Sequence, residues 1–180
     1  MEFSFLYAIP RTPILDTFFL FITNIAGSYG QLWIIVGVAL LIPKKTRWTG
    51  LAVLISYLGV FVFGQYILKN LFSRPRPCQI DQSFALLVKR PSSSSFPSTH
   101  SAWAFAGATA IFMKFKKPGI AVFVFSALIA FSRMYLFLHF PTDVLCGIIF
   151  GILLGFAADK LCDFIAKKKE TGSFSDSTNC

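Results

Sequence analysis

Long apolar runs separated by short polar segments make up most of this 180-residue chain. A helix that crosses a bilayer needs about 20 mostly apolar residues. Two runs have that length, because residues 48–68 contain no charge and residues 119–138 contain only Arg133. Shorter runs cover residues 12–26, 31–43, 101–113 and 144–158. Each is too short to span a bilayer alone, but it can be extended by neighbouring polar residues or be buried among other helices. The pattern predicts an all-α integral membrane bundle of about six transmembrane helices.

The composition agrees with a chain whose solvent is lipid. Hydrophobic residues make up 55% of the chain and charged residues 14%, and the mean hydropathy is +0.66. An average soluble domain has about 25% charged residues. We therefore expect one membrane domain over residues 1–166, followed by a polar, Ser-rich tail over residues 167–180 that is disordered.

Positive charge is concentrated at one end of the predicted bundle. The net charge of +9 would by itself also suit a nucleic-acid-binding protein. Alternation of the helices, however, places most of the 17 Lys and Arg residues at one end, namely Arg11, Lys44, Lys45, Arg47, Lys114, Lys116, Lys117, Lys160 and Lys167 to Lys169. Cytoplasmic loops carry such an excess, and a polybasic contact with anionic lipid would lie on the same leaflet. We expect a multi-pass protein of the cell membrane, with the other helix ends outside the cell and no nucleic-acid partner.

Small residues recur on one face of the last predicted helix, where Gly147, Gly151 and Gly155 are four apart. Such a face lets two helices approach closely in lipid. We favour packing within the bundle over a dimer interface, because a bundle of this size needs such contacts. The oligomeric state stays open.

A polar loop over residues 71–96 joins the third and fourth predicted helices. Prolines in its Arg-Pro-Arg-Pro stretch end the helix that carries Lys69. The serines at residues 92–95 fit a flexible linker and a part of a site equally well. The next helix is expected to begin near Pro97, capped by Ser95 or Ser98.

The alternation of the helices brings seven polar residues to one end of the bundle: Lys69, Arg76, Ser98, His100, Arg133, His139 and Asp143. Taken singly, each has an ordinary explanation, such as an interfacial anchor for a lysine or an arginine. An ionisable group at the centre of a membrane helix costs about 2.5 to 3.5 kcal/mol and marks a functional site. The remaining charges at this end, on Arg74, Lys89 and Arg90, are interpreted as surface charges that steer an anionic headgroup.

The chemistry of this set suits a phosphate group. Three permanent cations beside a helix N-terminus favour a dianion. His139 and His100 add a nucleophile and a proton donor, and Asp143 can hold one imidazole in a fixed tautomer. Asp143 follows His139 by four residues, but Pro141 places the histidine just before the first helical turn. The expected reaction is phosphoryl transfer to His139, followed by hydrolysis.

No metal cofactor is expected for this site. Two histidines and one well-placed carboxylate are too few for a metal cage, and the cations supply the charge that a metal would bring. The four cysteines form no CxxC pair and are interpreted as small apolar residues.

Three stretches of the sequence resemble the signature motifs of the type 2 phosphatidic acid phosphatase family. Lys69 is followed by six residues and then by Arg76, and residues 97–100 read Pro-Ser-Thr-His. Arg133 is followed by five residues and His139, and then by three residues and Asp143. The match spans residues 69–143 in the order of the family.

The resemblance implies the family's six-helix membrane architecture and a role for each residue. It assigns phosphate binding to Lys69, Arg76, Ser98, Thr99 and Arg133, proton donation to His100, the nucleophile to His139 and the orientation of that nucleophile to Asp143. Thr99 stands where many members have glycine, a departure expected to affect substrate fit more than activity.

The expected function is therefore a metal-independent membrane lipid phosphatase. A site outside the cell favours undecaprenyl pyrophosphate as the lipid phosphate substrate, and phosphatidylglycerophosphate or phosphatidic acid is the alternative. The motifs also resemble those of vanadium-dependent haloperoxidases, but these enzymes are soluble and the apolar spans argue against them. A non-catalytic lipid transporter or scaffold is the third alternative.

Overall fold

The computed structural model describes residues 1–177, with side chains through residue 169, and is entirely helical in that part of the chain. The predicted all-α fold class is thereby confirmed. The elements are α1 Glu2–Ala8, α2 Pro13–Ala26, α3 Gln31–Leu41, α4 Arg47–Gly59, a π-helical segment Val60–Leu68, α5 Lys69–Phe72, α6 Pro77–Ile80, α7 Thr99–Lys114, α8 Lys116–Tyr135 and α9 Pro141–Ser177.

Helix α7 lies at the centre of the bundle and is buried along nearly its whole length. Many of its residues are Ala or Gly, and because these side chains are small, α4, α8 and α9 pack closely around it. Trp103 is one of its few large side chains, and its indole Nε1 donates to the Tyr57 carbonyl oxygen over 3.2 Å. Trp103 is thus a core residue, 1% exposed.

The glycines of α9 are in contact with the backbone of α7. A methyl group at Gly147, Gly151 or Gly155 would lie 2.3 to 2.4 Å from a carbonyl oxygen of α7 or of its N-cap residue Ser98. Carbon and oxygen cannot approach so closely, so the absence of a side chain sets the distance between the two helices. Packing within the bundle is therefore confirmed as a use of this small-residue face.

Five helical stretches run between the two ends of the bundle. Lys69, His100 and Arg133 lie at one end, which we call the site end. At the opposite end, the Lys114 ammonium lies 2.5 Å from the Asp163 carboxylate and joins α7 to α9. The chain therefore leaves the site end in α3, α7 and α9 and returns to it in α4 with its π-helical extension and in α8.

Helices α1 and α2 differ from the predicted arrangement because they meet at an angle of 116°. Arg11, at the joint, donates to the Tyr135 carbonyl oxygen and lies 4.6 Å over the ring of Phe84. The far end of α2 leads to Gly27, whose carbonyl oxygen contacts His100. Both ends of α2 thus lie at the site end, and the placement of Arg11 at the opposite, basic end is wrong.

Among the described residues, three helical stretches are long and apolar enough to cross a membrane: Arg47–Ile80, Lys116–Tyr135 and Pro141–Lys169. The bent pair α1 and α2 makes a fourth if it counts as one span, and α3 is a shorter apolar helix. The chain is a multi-pass membrane protein. The count of six spanning helices is not confirmed, because α3 and α7 are short and α2 does not reach the opposite end.

Helix α9 continues to Ser177, beyond the predicted domain boundary at residue 166. Residues 167–177 of the predicted tail are therefore helical in this structure. Residues 178–180 lie outside the described part of the chain, and the division into a membrane domain and a disordered tail stays a prediction.

Candidate active site

A cavity of about 640 Å³ opens at the site end of the bundle. Six of the predicted site residues line it, namely Lys69, Arg76, Thr99, His100, Arg133 and His139. They come from four separate parts of the chain, which the helices bring together as the alternation predicted. Ser98 and Asp143 are completely buried beside the cavity and do not line it.

The cavity wall is strongly basic. Lys69, Arg76 and Arg133 are only 6%, 4% and 4% exposed. Lys89 also lines the wall, whereas no Asp or Glu among the residues with described side chains does. Buried charges are costly unless they are paired. A cavity lined by four cations and no carboxylate is therefore built to bind an anion.

The guanidinium of Arg76 joins the serine run to the turn between α8 and α9. Its Nε donates to the Ser93 carbonyl oxygen over 2.8 Å, and its Nη2 donates to Ser93 Oγ and to the Ser94 carbonyl oxygen over 3.1 and 3.2 Å. Its Nη1 donates to the Leu138 carbonyl oxygen over 3.0 Å. Of the two interpretations of the serines, the structure supports a part of the site over a flexible linker.

A further contact of Arg76 fixes the tautomer of His139, since its Nη1 lies 3.0 Å from His139 Nε2. A guanidinium only donates hydrogen bonds, so Nε2 accepts and the proton of the neutral imidazole is on Nδ1. Burial lowers the pKa of His139 well below its usual range, and the charges of Arg76, Lys69 and Arg133 lower it further. At neutral pH the ring therefore keeps a lone pair on Nε2.

Ser95 lies between His139 and Asp143. Its Oγ donates to Asp143 Oδ2 over 2.5 Å and lies 3.5 Å from His139 Nδ1. The direct distance from Nδ1 to Oδ2 is 3.9 Å, which is too long for a hydrogen bond. Because Nδ1 carries a proton, Ser95 accepts from the imidazole and donates to the carboxylate. The predicted orientation of His139 by Asp143 thus passes through Ser95, which the sequence indicated only as a candidate helix cap.

The spacing of the third motif reflects a tight turn between α8 and α9. The amides of Leu138 and His139 both donate to the Arg133 carbonyl oxygen, over 3.0 and 3.3 Å. Phe137 adopts a left-handed conformation with φ of 59°, and its ring stacks on Phe84 at a centroid distance of 3.9 Å. The turn fixes the backbone of Arg133 relative to that of His139.

His100 is the second residue of α7 and is held from the opposite wall of the cavity. Its Nε2 lies 3.1 Å from the Gly27 carbonyl oxygen. A carbonyl oxygen only accepts hydrogen bonds, so Nε2 donates in this contact. Nδ1 is then the nitrogen that can exchange a proton with a bound molecule.

Ser98 and Thr99, at the start of α7, have different surroundings. Ser98 is the N-cap residue, and its Oγ pairs with Ser101 Oγ at 2.9 Å, while its amide donates to the Asp143 carbonyl oxygen over 3.0 Å. Thr99 lines the cavity, and its Oγ1 donates to Gln65 Oε1 over 3.3 Å. The first amides of a helix have no intrahelical acceptor, so the N-terminus of α7 brings further donors to the cavity.

The sequence missed several contributors, of which Gln65 and Arg74 are the clearest. Gln65 lies in the π-helical segment, a rare geometry that often occurs at functional sites. A polar amide inside an apolar run was the signal that could have found it. Arg74 was interpreted as a surface charge, but its Nη1 lies 2.7 Å from Asp143 Oδ1. No periodicity or motif spacing indicates that contact.

Among the described residues, no group of three or more His, Cys, Asp and Glu side chains is arranged to hold a metal ion. The cysteines in this part of the chain, Cys78, Cys146 and Cys162, are free thiols.

Comparison with known families gives a match to the model of the PAP2 superfamily over residues 49–162. This range contains all three motifs. It begins near the start of α4 and ends within α9, so that α1, α2 and α3 lie outside it.

Two curated relatives and one crystal structure agree with this match. An undecaprenyl-diphosphatase of Sulfolobus acidocaldarius is 31% identical over 72% of this chain, which spans 64% of that relative's length. Phosphatidylglycerophosphatase B of Bacillus subtilis is 35% identical over 81% of this chain and 74% of its own. The crystal structure of a transmembrane PAP2 type phosphatidylglycerolphosphate phosphatase from Bacillus subtilis superposes with a TM-score of 0.69 at 31% identity, covering 86% of this chain and 80% of that chain.

Proposed function

The chain belongs to the PAP2 superfamily, and from this membership we propose that it is a membrane lipid phosphatase that removes a terminal phosphate group. The observation that carries the proposal is the cavity in which three buried cations surround two histidines, with no carboxylate in the wall from the described part of the chain. Lys69, Arg76 and Arg133 bind the phosphoryl oxygens, assisted by the start of α7 with Ser98 and Thr99.

His139 is the nucleophile of the proposed reaction. When the phosphate accepts hydrogen bonds from Arg76, the lone pair on Nε2 becomes available to attack phosphorus. A bond forms between Nε2 and phosphorus, and the bond between phosphorus and the lipid oxygen breaks. The proton on Nδ1 stays on the ring, where Ser95 and Asp143 stabilise the positive charge that develops.

His100 is the acid of the first step and the base of the second. The negative charge of the bound phosphate favours the protonated imidazole, so Nδ1 of His100 takes up a proton when the substrate binds, while Nε2 keeps its contact with Gly27. Nδ1 then gives this proton to the leaving lipid oxygen. A water molecule then gives a proton back to this nitrogen and attacks phosphorus. The bond to His139 breaks, and inorganic phosphate is released.

Undecaprenyl pyrophosphate is the proposed substrate, and phosphatidylglycerophosphate or phosphatidic acid is the alternative. Support for the first is the name of the Sulfolobus relative, and support for the second is the name of the Bacillus relative. A panel of these three lipids, presented to the purified protein in mixed micelles with a metal chelator, separates the two. The proposed substrate is expected to give the highest kcat/KM.

The decisive test of the phosphatase proposal is phosphate release by the parent protein and by His139→Asn. The amide side chain is polar and smaller than the imidazole, and it cannot form a phosphoryl intermediate. Residual activity of about one part in 10⁴ or less is expected. Gln82→Asn, in an exposed part of the 71–96 loop, is the matched control and should behave as the parent. If His139→Asn releases phosphate as fast as the parent protein, the proposed role of this residue is wrong.

We propose further that the site end faces the outside of the cell, because the opposite end carries most of the basic residues. The exposed residues Gln82 and Lys45 lie at the two ends. Single cysteines at these positions, in a background without other cysteines, are tested with a membrane-impermeant thiol reagent on intact cells. Labelling of Gln82→Cys alone is expected, and labelling of Lys45→Cys alone would reverse the orientation.

A further inference from the structure

Arg74 lies outside the cavity wall and makes a set of polar contacts at the start of α9. Its Nη1 donates to Asp143 Oδ1 over 2.7 Å and to Thr142 Oγ1 over 2.8 Å. Its Nη2 donates to Glu2 Oε2 over 2.6 Å. The side chain therefore joins the N-terminal helix α1 to the first turn of α9 and to a carboxylate of the candidate site.

Glu2 holds this arginine from the outer side. Its second carboxylate oxygen accepts from the Thr142 amide over 3.2 Å and from Thr142 Oγ1 over 2.7 Å. Helix α1 is fixed there by Phe3, whose ring meets that of Phe140 edge-on at 5.2 Å, and the Arg74 guanidinium lies 4.4 Å over the same Phe140 ring. The first helix is thus packed against the catalytic end of α9, although it contributes nothing to the motifs.

The consequence for Asp143 is that both of its carboxylate oxygens are fixed. Asp143 is completely buried, and Arg74 is the only Lys or Arg in ion-pair range of it within the described part of the chain. Oδ1 is bound by Arg74, so Oδ2 faces the Ser95 hydroxyl and the Phe140 amide at 2.5 and 2.9 Å. Rotation of the carboxylate would break all of these contacts together.

We propose that Arg74, held in place by Glu2 of α1, is a positioning residue for the nucleophile, and that it acts by fixing the Asp143 carboxylate that Ser95 links to His139. The inference rests on the proposed function. It makes the N-terminal helix, which lies outside the family match at residues 49–162, a part of the catalytic apparatus. Binding of the substrate phosphate is not the role of Arg74, because its side chain does not line the cavity and both of its Nη atoms donate to Glu2, Thr142 and Asp143.

The experiment compares Arg74→Gln, Arg74→Lys, Glu2→Gln and the double variant Glu2→Gln/Arg74→Gln in the full-length protein. Arg47→Gln is the matched control, because this exposed arginine lies at the end of the bundle opposite to the site. The measurements are kcat and KM for the best lipid of the panel, and the inhibition constant of inorganic phosphate. In the parent structure the Arg74 backbone oxygen accepts from the Ser95 amide over 2.8 Å, a contact that side-chain replacement does not remove and that favours a folded loop in the variants.

The positioning role predicts a loss of kcat without a loss of phosphate affinity. Arg74→Gln should lower kcat by about tenfold or more, as is typical when the group that orients a catalytic ligand is removed, while the inhibition constant of phosphate stays within about twofold. Arg74→Lys should recover part of the rate, since it restores the charge but not the planar fork. Glu2→Gln should lower kcat by about threefold alone and have no effect in the Arg74→Gln background, because Glu2 acts through Arg74.

Three outcomes would overturn the proposal. First, if Arg74→Gln has the kcat of the parent protein, Arg74 has no positioning role. Second, if Arg74→Gln raises the inhibition constant of phosphate as much as Arg76→Gln does, Arg74 binds the phosphate instead. Independent, multiplying effects of Glu2→Gln and Arg74→Gln show that Glu2 does not act through Arg74. If Arg74→Gln fails to fold, the cycle is run with Arg74→Lys. If only the Arg74 proposal is wrong, His139→Asn is still inactive. If the proposed function is wrong, either His139→Asn is as active as the parent protein or the parent protein has no phosphatase activity.

Discussion

Arg76 donates a hydrogen bond from Nη1 to His139 Nε2 over 3.0 Å. The same atom that is proposed to attack phosphorus is therefore covered by a cation in this structure. Phosphate oxygens are stronger acceptors for a guanidinium than an imidazole nitrogen, since the hydrogen bond is then charge-assisted on both sides. Substrate binding would thus release the nucleophile at the moment that the phosphate is in place.

Replacement of Arg76 by lysine tests this arrangement. Lysine keeps the charge but cannot reach Ser93, Ser94, Leu138 and His139 together, because these contacts use the planar fork of the guanidinium. We expect kcat/KM to fall by about 10²-fold or more, equivalent to about 2.7 kcal/mol of transition-state stabilisation. Steady-state kinetics with the best lipid measure it. Arg90→Lys is the control, and an Arg76→Lys variant with parental kcat/KM would contradict the bridging role.

Replacement of Ser95 by alanine tests the link between His139 and Asp143. The substitution removes the hydroxyl that touches both groups and leaves them 3.9 Å apart without a hydrogen bond. We expect kcat to fall by about tenfold, with KM within about twofold, because the serine orients the nucleophile and does not bind substrate. Ser94→Ala is the matched control, since the Ser94 hydroxyl makes only contacts of 3.3 and 3.4 Å with backbone oxygens. Equal kcat values for the two variants would exclude the link.

Replacement of Gly151 by alanine tests the contact between α7 and α9. The new methyl group would lie 2.3 Å from the Ala102 carbonyl oxygen, so the helices that carry His100 and Asp143 must move apart. We expect a loss of about 1 to 3 kcal/mol of stability from overpacking, seen as a lower thermal midpoint in detergent, together with a lower kcat. Gly59→Ala is the control, because its methyl group would meet only the flexible Leu154 side chain at 3.4 Å. This control should gain stability, as alanine is the better helix former by about 1 kcal/mol, and the same gain at position 151 would refute the close contact.

Replacement of Lys114 by methionine separates stability from catalysis. Asp159, in α9 at the end opposite to the site, is 1% exposed, and its Oδ1 lies 3.3 Å from the Lys114 ammonium without hydrogen-bond geometry. Removal of the cation leaves a buried carboxylate without this partner. We expect a loss of about 1 to 3 kcal/mol, less than for a fully buried pair because Lys114 is partly exposed. Thermal unfolding measures this loss of stability. The control is Lys117→Met, which replaces an exposed lysine at the same end of the bundle. In both variants kcat at low temperature should stay at the parental value. A selective loss of kcat in Lys114→Met would show that this end is coupled to the site.

The sequence by itself determined the all-helical membrane architecture and the level at which the site lies. Apolar runs of spanning length specify helices, because a backbone in lipid must satisfy its own hydrogen bonds. Alternation of those helices then decides which ends meet, and this was sufficient to bring His100, Arg133 and His139 to one cavity. Motif spacing added the family, since the distance from Arg133 to His139 along the chain corresponds to one tight turn.

Only the tertiary structure decided how these residues are held. The 116° bend between α1 and α2 depends on packing against Phe84 and Tyr135, which are far away in sequence, and hydropathy could not distinguish it from a simple span. The contacts of Arg74 with Glu2 and Asp143 join residues up to 72 positions apart. Local patterns report the environment of a residue along its own helix, whereas hydrogen-bond partners across the bundle depend on distances of a few tenths of an ångström that only the packed helices set.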